Sequence, residues 1–179
     1  QLGAKVVTIS GPDGYIYDPE GVTTPEKIAY LVTMRESGRD KVQDYADQFG
    51  CAFYPGEKPW GVKADIIMPS ATQNDVNLEQ AKRIVANGVK YYIEVANMPT
   101  TNDALAYLLS QPGMIIAPSK AVNAGGVATS ALEMSQNAIR YSWTAYEVDA
   151  KLKQIMKNIH DNSAEAAEAN GLGYNLVAG

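Results

Sequence analysis

Asn123, Val127 and Ser130 are the residues whose types and spacing are best suited to holding a small molecule. They lie in SKAVNAGGVATSALEMSQN, residues 119–137, where an apolar run ends at Pro118 and a helical pattern opens with its smallest residues first. Gly125 and Gly126 have no Cβ, so the backbone there can approach a flat ring, and the amides of a first helical turn have no partner within their helix. The Asn123 carboxamide can pair donor to acceptor with another carboxamide. Val127 and Ser130, three apart, share a helix face and set an apolar wall beside a hydroxyl. The small residues at 124–128 also suit close packing of the helix against a sheet, and periodicity alone does not separate the two readings.

Three further clusters carry polar and small residues: SGPDG at 10–14, PSATQN at 69–74 and ANMPTT at 96–101. The elements that must position them are short apolar runs at 4–9, 51–54, 64–68, 91–95 and 114–117, each read as a strand, the unbroken β-branched run at 4–9 as one buried on both faces. Helical patterns separate them. One starts at Pro25 behind the caps Thr23 and Thr24, with Ile28, Leu31 and Val32 as its apolar stripe. Others cover 39–48, with Val42, Tyr45 and Phe49 inward, then 76–86, 102–109, the central stretch to about Trp143, and 146–170. Alternating strands and helices predict an α/β fold with a doubly wound, mainly parallel, Rossmann-like sheet, in a single domain over 1–179. Each cluster, the central one included, directly follows a strand, so a parallel sheet would gather all four at one carboxyl edge, where open α/β sheets bind ligands.

In a dinucleotide fold the loop after the second strand meets the adenosine ribose, and the loop after the first is GxGxxG. SGPDG does not fit the phosphate loop, so the run at 4–9 is read as the second strand, with Gly11, Pro12 and Asp13 beside the ribose. The first strand and the phosphate loop are then expected before Gln1, in a longer protein of which this sequence is a piece. Ala71, Thr72 and Gln73 offer a hydroxyl and a carboxamide for cofactor hydroxyls or phosphate oxygens, and Asn97 offers the same after the next strand.

Composition narrows the partners. A net charge of -5 with no basic cluster excludes a nucleic-acid surface, which needs grouped Lys and Arg. No run is long enough to span a bilayer, so no membrane partner is expected. One cysteine, Cys51, leaves no internal disulfide and fits a reducing, cytoplasmic setting. His160 has no second His or Cys at metal spacing, and Glu165 and Glu168 read as a solvated face, so no metal site is expected.

Taken together, SGPDG, PSATQN, ANMPTT and the central stretch closely resemble the hexameric glutamate dehydrogenases, and the NAD-linked bacterial branch most of all, in order and over nearly the whole chain. Ser70 stands where many members have Cys and Val95 where many have Gly; neither change removes a polar contact. The resemblance implies the coenzyme-binding part of an enzyme that oxidatively deaminates L-glutamate to 2-oxoglutarate and ammonia. It implies that the loops with Ala71, Thr72, Gln73 and Asn97 line the cofactor between its riboses. Asn123 would then lie near the nicotinamide carboxamide, and Val127 and Ser130 against the amino acid. General acid, general base and the substrate lysines are implied to sit in a separate substrate-binding domain, so no catalytic residue is assigned in this chain and the fragment alone is expected to be inactive. The whole enzyme is implied to be a homo-oligomer, a hexamer. Two other readings stay open: a leucine- or phenylalanine-type dehydrogenase, and a non-catalytic nucleotide-binding module. NAD is favoured over NADP because 10–26 carries Asp13, Asp18, Glu20 and Glu26 but no Lys or Arg to meet a 2′-phosphate.

Overall fold

Pro12 and Asp13 form a two-residue turn, and the strands on either side of it fold back on each other. Strands β1 (Thr8–Gly11) and β2 (Gly14–Tyr17) pair antiparallel, Gly11 opposite Gly14 and Thr8 opposite Tyr17. Strand β3 (Ala52–Pro55) adds antiparallel to β2, giving a three-stranded sheet in the order β1-β2-β3. Gly14 is required at its place: its φ is 145°, and a Cβ there would lie 2.2 Å from the Tyr54 carbonyl oxygen. Helix α1 (Pro25–Glu36) starts with Pro25 behind the Thr24 hydroxyl, which accepts from the Lys27 amide at 3.3 Å. Helix α2 (Gln43–Phe49) ends at Gly50, left-handed at φ 67°. Ile16, Val42, Tyr45 and Ala46 form the core of this part, with Ile9, Leu31, Phe49 and Phe53 packed around them.

The computed structural model describes residues 3–39 and 41–179, and the chain divides into two compact units, Gln1–Val62 and Lys63–Gly179. Three expectations for the first unit change. Within this chain the run at 4–9 pairs only from Thr8 on, antiparallel with the returning strand GYIY, and Val6 is 44% exposed. The run at 51–54 likewise joins the antiparallel sheet. Val32 is 51% exposed, so the inward side of α1 is carried by Tyr30 and Leu31. Asp40, one of two expected starts for the second helix, lies outside the described residues; the helix is seen from Gln43.

The second unit carries the parallel sheet. Strands β4 (Ile66–Ile67), β5 (Tyr91–Ile93) and β6 (Ile115–Ala117) pair parallel in that order, with β5 central. Helix α3 (Leu78–Ala86) is set by a capping box in which Asn77 accepts from the Gln80 amide and Gln80 from the Asn77 amide. It packs against α4 (Asn102–Leu109), and Ala81, Ile84, Ala104 and Leu108 are fully buried. The helical pattern expected from Val76 therefore begins two residues later, because Val76 forms a parallel bridge with Thr100. The central stretch is two helices, α5 (Ser119–Val122) and α6 (Ala124–Ile139), broken at Asn123. Helix α6 ends short of Trp143, where Arg140 turns left-handed at φ 53°. Helix α7 (Ala145–Ala169) follows a second capping box, Thr144 with Glu147, and packs on α6.

Candidate functional site

The site is built on the carboxyl ends of β4, β5 and β6. Pro69 ends β4, and its carbonyl accepts from the Val95 and Ala96 amides, at 3.1 and 3.0 Å, just past β5. Farther out the two loops are joined again. The Asn74 amide donates to the Met98 carbonyl at 3.0 Å, Val76 to Pro99 at 2.9 Å, and Thr101 to Val76 at 3.0 Å. Thr72, Gln73 and Asn97 are exposed on these joined loops, and Pro69 and Pro99 are buried beneath them. Thr100 anchors the arrangement through its hydroxyl, 2.8 Å from the Tyr92 hydroxyl in the interior. Burial pushes the Tyr92 phenol well above its usual range, with the nearby charges of Glu94 and Asp75 adding to it and the Thr100 hydrogen bond opposing it, so it stays neutral.

Beyond β6 the chain turns into α5. The Glu94 carboxylate, 4% exposed, accepts from the buried Ser119 amide at 3.2 Å, and the Glu94 amide donates to the Ala117 carbonyl. A buried carboxyl side chain just past β5 thus holds the start of the segment that carries the candidate contacts. Glu94, absent from the candidates above, positions this segment. Its signal is an acid inside the apolar run YYIEVA.

Asn123 sits at the break between α5 and α6; its carboxamide is exposed and makes no capping hydrogen bond. The two glycines after it divide the readings left open above. A Cβ on Gly125 would rest 3.6 Å from Met156 Sδ and 3.9 Å from Leu152 Cδ1, so Gly125 faces α7, whereas nothing lies within 4 Å of a Cβ on Gly126. One glycine serves packing, against a helix rather than a sheet, and the other lies on an open side. Val127 is 71% exposed; the Ser130 hydroxyl is also exposed and donates back to the Gly126 carbonyl at 3.3 Å. In the second unit Ala71, Thr72 and Gln73 thus follow β4, Asn97 follows β5 and Asn123 ends α5 beyond β6, while Val127 and Ser130 lie exposed in the first turns of α6.

Gly11, Pro12 and Asp13 belong to the first unit. Gly11 ends β1, and Pro12 and Asp13 form the hairpin turn, because GYIY pairs back at once. The Asp13 carboxylate accepts from the Val42 and Gln43 amides, at 3.2 and 3.1 Å, so it caps α2 from 29 residues away. Asp18 is buried and accepts from Lys27 Nζ at 2.6 Å and the Tyr45 hydroxyl at 2.8 Å. The same carboxylate takes the Glu20 and Gly21 amides. Burial alone would raise its pKa, but the hydrogen bonds from Lys27 and Tyr45 outweigh that and hold it below the ordinary carboxylate value. Cys51 is half-buried, with its thiol pushed up by burial and by Asp18, which leaves it inert.

A family model for Glutamate/Leucine/Phenylalanine/Valine dehydrogenase matches residues 1–179. The chain belongs to that family. An NAD-specific glutamate dehydrogenase of Clostridium symbiosum is 74% identical over 179 residues, all of this chain and 40% of the relative. An NADP-specific glutamate dehydrogenase of Haemophilus influenzae is 51% identical over 170 residues, 95% of this chain and 37% of the relative. Among solved structures, a glutamate dehydrogenase superposes with a TM-score of 0.95 at 74% identity, covering 99% of this chain and 39% of the other. This member of the dehydrogenase family thus spans about two-fifths of the length of those relatives.

Other features of the chain stay apart from the site. His160 lies between Asp161 Oδ1, 3.0 Å from Nδ1, and the Tyr174 hydroxyl, 2.5 Å from Nε2. A cavity of about 440 Å³ beside it is lined by Glu165, Glu168 and Tyr174, none of them a candidate residue. Among the described residues no group of three or more His, Cys, Asp or Glu could hold a metal ion, and no helix is long and apolar enough to cross a membrane.

Proposed function

We propose that this chain is the coenzyme-binding part of an amino-acid dehydrogenase that oxidatively deaminates L-glutamate to 2-oxoglutarate and ammonia with NAD, or runs the reverse. The observation that carries the reading is the joined pair of loops beside the α5–α6 break at one carboxyl edge of a parallel sheet, with Asn123 exposed and uncapped. These residues fit a dinucleotide: polar side chains stand over a rigid floor, and the open side of Gly126 admits close approach. When bound, the nicotinamide supplies the hydride chemistry. Ala71, Thr72, Gln73 and Asn97 meet the hydroxyls and phosphate oxygens of the cofactor. Asn123 pairs with the nicotinamide carboxamide, and Val127 and Ser130, within two helical turns, orient the amino acid so that its α-carbon faces the ring. Gly11, Pro12 and Asp13 are assigned to the adenosine ribose. Two carboxylate charges that would disfavour NADP are already committed, Asp13 to the α2 amides and Asp18 to Lys27, so the preference for NAD rests on the absence of a spare cation in 10–26 and on the likeness to the Clostridium symbiosum protein.

Acid–base groups and the substrate's charged partners belong, in this reading, to a further domain of the same protein, and the whole enzyme is a homo-oligomer, a hexamer, acting in the cytoplasm. The test is steady-state kinetics on the full-length protein with glutamate, leucine and phenylalanine against both cofactors. Turnover of glutamate with a kcat/KM for NAD about tenfold or more above NADP is expected. A preference for leucine or phenylalanine overturns the substrate, a preference for NADP overturns the ribose assignment, and turnover by the isolated 179-residue chain overturns the division of labour between domains.

A further inference from the structure

We propose that Met98 is a contact residue for the dinucleotide, its thioether forming an apolar cover over the carboxyl edge; the inference rests on the reading of that edge as the coenzyme site. Met98 has φ 49°, left-handed backbone that an L side chain with an ordinary Cβ adopts at a cost. Pro99 follows it, and a residue before proline favours extended backbone. The facing loop makes a like turn at Asn74, φ 56°, but there the residue is one that tolerates the left-handed region. The two turns are tied by the Asn74 amide and the Met98 carbonyl, so the conformation is imposed by the loop pair and not by the methionine.

Glycine would make the same turn at 98 with less strain. Methionine adds a side chain that is 50% exposed, so much of its apolar area stays in water. Strained backbone and wet apolar surface both oppose folding, and strain of this kind collects where a ligand is held. The neighbours narrow the ligand: Asn97 beside it and Thr72 and Gln73 on the joined loop are exposed and polar. An occupant must therefore show an apolar face to a soft, polarisable thioether and hydroxyls or phosphate oxygens to the groups around it, which describes a nucleotide sugar and its base.

The experiment uses the full-length protein with Met98→Gly, Met98→Leu and, as a control on the site itself, Asn123→Ala, titrated with NAD at saturating glutamate and melted without ligand. For Met98→Gly we expect a Tm no lower than the parent's and a KM for NAD raised about fivefold or more, with KM for glutamate little moved, while Met98→Leu stays within about twofold of the parent on KM for NAD. A Tm several degrees lower for Met98→Gly overturns the inference, because Met98 would then be packed against another part of the longer protein. If Asn123→Ala raises KM for NAD and Met98→Gly does not, Met98 is no contact and the coenzyme edge stands. If neither variant moves it, the reading of the edge falls as well.

Discussion

The polar residues at the turns of the two units are spent in opposite ways. In the first, Asp18 is buried and takes four hydrogen bonds, Tyr45 and Lys27 are drawn into it, and Asp13 holds the start of α2. In the second, Thr72, Gln73, Asn97 and Asn123 stand exposed around a floor whose own backbone groups are already joined. A polar residue bonded inside its own unit holds the fold, and one left in water over a rigid carboxyl edge is available to a ligand. The contrast separates residues that look alike in sequence: Asp13 and Asn123 both sit at turns between elements, yet only Asp13 is committed to its own unit.

The strongest way to break this comparison is Asp18→Ala. It strands the Lys27 ammonium in a partly buried site and is expected to cost about 3–5 kcal/mol in urea unfolding. A change below 1 kcal/mol, on the order of a surface pair, would mean the cluster is not what holds the first unit. Asp18 also gives the comparison a pH axis. Its folded pKa lies below the ordinary carboxylate value, so its contribution is fully present above that ordinary value and is lost as pH falls through the lower folded one. Asp18→Ala should flatten that acid limb relative to the parent. Tyr45→Phe is the next step down, at about 1–2 kcal/mol, since it removes one donor while Lys27 and two amides remain on the carboxylate. Gln73→Ala is the small end: stability within about 0.5 kcal/mol, with the loss appearing as a raised KM for NAD in the full-length protein. A Gln73→Ala variant that unfolds early but binds NAD normally would put the second unit's polar residues in the same class as the first's.

What was legible in the sequence follows from how local each cause is. The helix start at Thr24–Pro25 is legible because cap and partner lie within four residues, whereas the last helix, expected from Tyr146, starts at Ala145 behind the Thr144 cap. The strands of the parallel sheet are legible as apolar runs closed by Pro69 and Pro118, and helix α6 as a pattern opened by small residues. Strand β2 is not, because GYIYD reads as the tail of a turn until β3 arrives some forty residues later and closes over Gly14. The capping role of Asp13 is hidden in the sequence because its partners are the amides of Val42 and Gln43, 29 and 30 residues on. Glu94 was hidden for the same reason: the amide it holds is 25 residues on, and only the fold makes them neighbours. The break at Asn123 could not be read from a pattern whose helical spacing runs on through it.

The seam between the loops at 69–76 and 95–101 has a consequence for how a ligand is met. Two independent loops would each have to be stilled on binding, at the entropic cost of ordering every residue that touches the guest. Sewn together by the Asn74, Val76 and Thr101 amides, with both prolines sunk beneath, they move as one plate that is already set before anything arrives. Association at this edge then loses little freedom in the protein, and cutting a single stitch would be felt as slower capture and faster escape before any change in which molecule is preferred.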